Sequence, residues 1–263
     1  MNILVLLRMV PDVVEEPEIA PDKMTLETES VRLILNESDN YALEQALLLK
    51  ESQGATVTVL AVDSPQIEET LFTALAKGAD KAIKIAHPGK SLTTRLMASI
   101  FARVIATEPE LSSPDLILTG SRTITDLDAP LAPLLARDLR LPHLGIVSRV
   151  SVDFSGRSVT ALREYPDGIR GEFEVPLPAV LGIQVAERPP RYVPVALIRA
   201  IMKTLWVECI PCPILERTRV PFQLLELRKP PVSARAEMLT GSHEVVAHKV
   251  RDVLVARGLV EGA

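Results

Sequence analysis

Aromatic side chains are scarce in this chain: five Phe, three Tyr and one Trp among 263 residues. Stacking platforms for nucleic-acid bases are correspondingly few, and the core has to be aliphatic, built from Leu, Val, Ile and Ala. Only two cysteines are present, which excludes a disulfide framework. Surplus charge is small as well. A net charge of −5 supplies no electrostatic reason to expect nucleic acid or an anionic membrane as partner. No apolar run approaches the roughly 20 residues that span a bilayer. The first such run, residues 2–7, stops at Arg8, with no basic stretch before it and no small-residue cleavage site after it. It reads as a first strand, not a signal peptide. Together these absences predict a cytoplasmic protein with no membrane insertion and no nucleic-acid partner. What is abundant argues against disorder: 47% of the residues are hydrophobic and 24% charged.

Up to about residue 150 the chain alternates short apolar runs with helical stripes. Residues 3–7, 56–62, 81–85 and 115–119 are compact Val/Ile/Leu runs without in/out alternation, as expected of strands covered on both faces. Between them, residues 41–51 carry Leu43 and Leu47 on one face. Ile67, Leu71 and Leu75 repeat at helical spacing between Ser64-Pro65 and Lys77-Gly78, which are start and stop signals. Leu96, Ile100 and Val104 form a third stripe, with Ser91 as the expected cap. Such alternation predicts right-handed βαβ crossovers and a doubly wound, mainly parallel α/β sheet. Residues 8–40 are too long for a βα loop, and 22–35 are expected to form a small ribbon. From residue 143 the period changes to two. Residues 143–152, 158–164, 171–175 and 179–185 read as strands, joined by turns at 153–156 and 165–168, and predict an antiparallel extension.

Composition shifts again at Glu187. Residues 188–231 hold eight prolines, which break helices and central strands, yet they also carry Val195, Leu197, Ile198, Ile201, Leu205, Trp206 and Ile210. An extended C-terminal arm lying on a partner chain satisfies both facts; the alternative is an arm folded back on its own domain. The expected division is therefore a domain over 1–186 and an arm over 187–263, with an amphipathic helix over 242–258.

Ligands of doubly wound sheets lie at the carboxyl ends of the strands, which singles out the loops after Leu7, Val62 and Thr119. In the third, Gly120, the hydroxyls of Ser121, Thr123 and Thr125 and the charge of Arg122 could hold a phosphate where a helix starts near Asp128. This is neither a Walker loop nor GxGxxG. Asp126 and Asp128 would repel a phosphate, although a carboxylate can accept hydrogen bonds from ribose hydroxyls. Asp128 could equally cap its helix, with Pro130 in the first turn. Cys209-Ile210-Pro211-Cys212 has CxxC spacing but sits in the proline-rich stretch. A zinc site borrowing His243 and His248 would need a gap about twice that of a zinc finger. Incidental cysteines are the preferred reading. No arrangement calls for covalent or acid–base catalysis, so the chain reads as a binder or carrier.

Several strings resemble the beta subunit of electron transfer flavoproteins: residues 4–12 (LVLLRMVPD), 36–44 (NESDNYALE), 73–83 (TALAKGADKAI), DLILTG with the hydroxyl-rich loop behind it, REYPDGI, VPLPAVLGI and RKPPVSA. They fall in the family's order over nearly the whole chain. The resemblance implies a sheet of the adenine nucleotide alpha hydrolase kind and a heterodimer with an alpha subunit that carries a redox-active FAD. It also implies a second nucleotide on this chain, a structural AMP or another FAD. Carried over by position, the nucleotide contacts are Leu6, Asn36, Glu37, Ser38, Asp39, Asp63, Gly120, Ser121, Arg122, Thr123, Ile124, Thr125, Asp126, Leu127, Asp128, Ala129, Pro130 and Leu131. Residues 187–206, with Arg191-Tyr192 near their start and Val195 at the position of a leucine anchor, resemble the loop that docks on a dehydrogenase. The nucleotide loop departs from the family pattern at Ser121, Arg122, Thr123, Thr125, Leu127 and Pro130, which implies a second nucleotide held differently or absent. A stand-alone adenine-nucleotide sensor on the same fold is the alternative function.

Overall fold

The computed structural model describes residues 1–260 apart from 15, 17, 25, 28–30, 88–91, 127–129, 154–156, 214–224 and 232–235. The chain divides into two units, Met1–Leu225 and Glu226–Ala263.

In the first unit the apolar runs become β1 (Asn2–Leu7), β2 (Met9–Pro11) and β3 (Leu33–Leu35), followed by α1 (Glu37–Gln53). Next come β4 (Thr56–Val62), α2 (Ile67–Lys77), β5 (Lys81–Ala86), α3 (Thr94–Thr107), β6 (Leu116–Gly120) and α4 (Leu131–Leu139). The strands after the period change are β7 (His143–Asp153), β8 (Ser158–Glu164), β9 (Arg170–Pro176) and β10 (Ala179–Ile183). The unit continues through α5 (Val195–Thr204) and β11 (Glu208–Pro211). Among the described residues, nine strands form one sheet in the order β11-β5-β4-β1-β6-β10-β7-β8-β9. Every pairing from β11 to β7 is parallel, and only β8 and β9 add antiparallel. The chain returns from β9 to insert β10 between β6 and β7.

Strand periodicity splits the core in two. Ile3, Val5 and Leu7 of β1 face the side where Leu43 and Leu47 of α1 and Leu71 of α2 pack. Leu4 and Leu6 face the opposite side, against Phe101 and Ile105 of α3 and Leu135 of α4. Helices on both faces thus bury β1 completely from Ile3 to Leu7, which is why its sequence shows no alternation.

The local differences from the sequence expectations have physical causes. The cap of α3 is Thr93, whose Oγ1 accepts from Leu96 N at 3.2 Å; Ser91 lies outside the described residues. Thr93→Ala is expected to lower stability by about 1 kcal/mol, read as a reduced urea midpoint at unchanged slope. Helix α4 starts at Leu131 and not near Asp128. Pro133 explains the shift. A proline is tolerated where the helical N–H would be unpaired anyway, within the first turn, so a start at 128 would place it too deep. Met9–Pro11 pairs antiparallel with Leu33–Leu35, and Ile19 bridges Leu26, so the pairing reaches back to Met9 and is not confined to 22–35. The turn at 165–168 forms a short 3₁₀ segment with Asp167 at φ 62°; residues 154–156 lie outside the described residues.

Residues 195–211, expected in an extended arm, form α5 and β11. Pro194 immediately precedes α5 and Pro211 ends an edge strand, the two places where proline is compatible with these elements. Ile198 and Ile201 join the core beside α2, Ile210 is buried, and Lys81 Nζ of β5 lies 2.6 Å from Glu208 of β11.

In the second unit α6 (His243–Ala256) is capped by Ser242, whose Oγ accepts from Val245 N. It ends before Gly258 at φ 66°, the expected stop. None of its residues is buried. Among the described residues, no helix is long and apolar enough to cross a membrane.

Candidate functional site

Strand β1 has β4 on one side and β6 on the other, with α1 and α3 on opposite faces of the sheet. Here the winding reverses, and a crevice opens beyond the carboxyl ends of β1 and β6. Its floor is a buried ion cluster. Arg8, one residue past β1, spreads its guanidinium between two carboxylates: Nη2 donates to Asp39 at 3.1 Å and Nη1 to Asp126 at 3.1 Å. All three side chains are almost completely buried. The remaining lone pairs are also satisfied. Asp39 accepts from the backbone N–H of Arg8 at 2.9 Å and of Gly120 at 2.8 Å. Asp126 accepts from Thr94 Oγ1 at 2.8 Å and from the N–H of Thr123 at 2.8 Å. Burial opposes the charge on Arg8, but Asp39 and then Asp126 outweigh it, and its pKa is raised above the ordinary guanidinium value.

Gly120 makes this cluster geometrically possible. A Cβ there would collide with Asp39 Oδ1 and Ser38 Oγ and stand 2.7 Å from Asp39 N. The first turn of α1 therefore lies directly on the end of β6, and residues 121–126 are tied down along their length. Ser121 N donates to Ile183 O at 2.7 Å. Ser38 Oγ and Asn36 Nδ2 both donate to Arg122 O, at 2.9 and 3.2 Å. Thr123 and Thr125 share a hydroxyl hydrogen bond of 2.9 Å.

Above this floor is a cleft of about 550 Å³ lined by Asn36, Glu37, Ser38, Tyr41, Ser121, Arg122, Thr123, Ile124, Gln184 and Val185. Asn36 precedes α1 but its side chain does not cap it, so the first-turn N–H groups have no cap from that residue. Arg122 is exposed at the rim, and Ile124 and Val185 supply exposed apolar surface. Hydroxyls, amides, one guanidinium and an apolar lip supply donors that fit a nucleoside phosphate, and the exposed carboxylate of Glu37 is the one anionic group of the lining. Asp126, expected to repel a phosphate, has its charge opposed by Arg8 beneath the floor.

The residues singled out from sequence separate clearly. Asn36, Glu37, Ser38, Ser121, Arg122, Thr123 and Ile124 line the cleft. Asp39, Gly120, Thr125 and Asp126 support it from below or behind. Leu6 is wholly buried in β1, so only its backbone is left to offer. Asp63 follows β4, with Lys84 Nζ 3.8 Å away, and is not among the residues lining the cleft. Pro130 leads into α4 and Leu131 is buried in the core. Leu127, Asp128 and Ala129 lie outside the described residues. Arg8 was not singled out; a guanidinium directly after a fully buried run was the available signal, since such a charge needs partners.

A second surface follows Glu187. Arg191 is clamped onto α1: its Nη2 and backbone N–H donate to Glu44 at 2.8 and 3.0 Å, and its Nη1 to Glu51 at 2.6 Å. Hydrogen bonding to Glu44 raises its pKa above the ordinary value. Beyond this pin, Tyr192, Val195, Leu197, Met202, Leu205 and Trp206 are exposed, Trp206 at 77%. Cys209 is exposed on β11 and Cys212 half-buried against the second core. Burial pushes the Cys212 thiol up, away from the reactive thiolate of a redox pair.

Fold and site together define a doubly wound α/β protein with a ligand-sized polar cleft at its switch point. A family model described as the electron transfer flavoprotein domain matches residues 23–204. The electron transfer flavoprotein subunit beta of Clostridium acetobutylicum is 35% identical over 198 residues, 75% of this chain and 74% of the relative. The mitochondrial subunit beta of Oryza sativa subsp. japonica is 30% identical over 250 residues, 94% of this chain and 96% of the relative. Protein FixA of Sinorhizobium fredii is 34% identical over 171 residues, 64% and 60% of the two chains. The chain belongs to the electron transfer flavoprotein family, in the branch of its beta subunits.

Proposed function

We propose that this chain is the beta subunit of a heterodimeric electron transfer flavoprotein that carries electrons between a dehydrogenase and a downstream acceptor. The FAD sits mainly on the alpha partner and supplies the redox chemistry when bound. This chain's own residues bind and position. The cleft over α1 takes AMP, with Arg122, Ser121 and the first-turn amides of α1 at the phosphate and Ile124 and Val185 beside the base. The observation that carries this assignment is the exposed guanidinium of Arg122 next to an uncapped helix start, over a floor whose carboxylates already have a cation. Dehydrogenase docking falls to residues 187–206, where the exposed apolar row from Tyr192 to Trp206 stands on a segment pinned by Arg191. The two free cysteines accord with a reducing, cytoplasmic compartment. A stand-alone nucleotide sensor is disfavoured by the match to beta subunits over as much as 94% of the chain.

The test is purification of the chain with its alpha-type partner. A two-chain complex with flavin absorbance, releasing AMP on denaturation, is the expected result; a complex without flavin rejects the reading. In the same complex, Val195→Asp is expected to raise the KM for the dehydrogenase about tenfold or more. Flavin and AMP content should stay unchanged, as steady-state kinetics and mass spectrometry of the extracted nucleotides will show.

A further inference from the structure

The ion cluster under the cleft does more than close a gap in the core. Arg8 contacts residues 31 and 118 positions away, one at the start of α1 and the other at the far end of the loop after β6. We propose that Arg8 is a positioning residue for nucleotide binding: through Asp126 it fixes the loop that presents Ser121 and Arg122, and it offsets part of the carboxylate charge beneath the cleft. The inference rests on the nucleotide reading of the cleft.

Three features support it. The loop is held at its near end by Ser121 N on Ile183 O and in its middle by Asn36 and Ser38 on Arg122 O. Its far end is held at Asp126, where Arg8, Thr94 and Thr123 converge. With the Arg122 carbonyl turned down towards α1, its side chain stands at the rim. Second, the arrangement requires arginine. Nε and Nη2 serve Asp39 while Nη1 serves Asp126, a division that a planar fork makes and a point-charge ammonium does not. Third, Arg8 is the cation that both carboxylates of the cluster share. One cation and the amides of Arg8, Gly120 and Thr123 face two carboxylates, both within the structure that supports the cleft.

A phosphate-specific readout separates positioning from mere structural support. In the purified two-chain complex, stripped of nucleotide, AMP and adenosine are titrated calorimetrically against wild type, Arg8→Lys and Thr94→Val, with melting temperatures measured in parallel. Arg8→Lys is expected to weaken AMP about tenfold and leave adenosine unchanged, so the AMP-to-adenosine ratio falls. Thr94→Val, which removes only the hydroxyl that holds Asp126, is expected to shift the ratio the same way by about threefold. If the lysine variant does not fold, the valine variant decides. Wild-type binding with an unchanged ratio in the variants overturns the role of Arg8 alone. A wild type that binds neither AMP nor adenosine overturns the nucleotide reading, and this inference with it.

Discussion

Gly120→Ala is expected to destabilise the first unit by about 3 kcal/mol or more and to weaken nucleotide binding at the same time. The new methyl would occupy the space of Asp39 Oδ1 and Ser38 Oγ and press on the backbone nitrogen of Asp39. Ser38 can rotate away. Asp39 cannot, because its carboxylate is held by Arg8 and by the Gly120 amide itself at 2.8 Å. The first turn of α1 must therefore move off the end of β6. Overpacking of this kind costs about 1–3 kcal/mol, and loss of a buried hydrogen bond to a charged group about 1.5–3 kcal/mol. For a unit of this size, thermal unfolding should record a fall of about 6–12 °C. Gly54→Ala is the control. Gly54 has φ 68° with nothing within 4 Å of an added Cβ, so it carries only the left-handed backbone cost, roughly 1–2 kcal/mol. Equal melting temperatures for the two variants would contradict the packing described at Gly120.

Arg191→Ala should have an effect of similar size by a different route. Glu44 is buried in the middle of α1 and receives both the guanidinium and the backbone N–H of Arg191. Removing one partner of a buried pair typically costs about 3–5 kcal/mol, because the remaining charge is uncompensated. The retained backbone amide, the nearby Lys77 ammonium and the partial exposure of Arg191 place the expectation at or below the lower end, about 2–3 kcal/mol. Adding Glu44→Leu to an Arg191→Met background should recover most of the loss at neutral pH. A double variant no more stable than Arg191→Met alone would show that Glu44 is not the group left stranded.

The sheet was legible because its central strands are covered on both sides. β1, β4, β5 and β6 are short, mostly apolar segments, interrupted only by Thr in β4 and β6 and Lys in β5, and the helices between them carry stripes and stops that depend only on neighbours in sequence. The start of α1 was harder to read. Glu37, Ser38, Asp39 and Asn40 show no apolar stripe: the first two line the cleft, Asp39 joins the ion cluster and Asn40 accepts from Lys77 of α2. The insertion of β10 between β6 and β7 is a long-range pairing that no local pattern encodes. In the site, the loop after β6 was visible from its composition and its position behind a strand. Arg8 and Arg191 were not, because their meaning lies in carboxylates 31, 118 and 147 residues away. The density of prolines after residue 187 concealed α5 and β11, because those prolines sit at the ends of both elements and not inside them.

Segment 187–211 is fastened twice, by Arg191 on α1 ahead of α5 and by β11 along the sheet edge behind it. A segment held in this way has lost most of its conformational freedom before any collision. In the docking role proposed for it, a redox partner would meet a ready shape, so little ordering entropy would oppose association. Encounters can then be brief and frequent, with fast dissociation between deliveries, as suits a protein that must exchange one customer for the next.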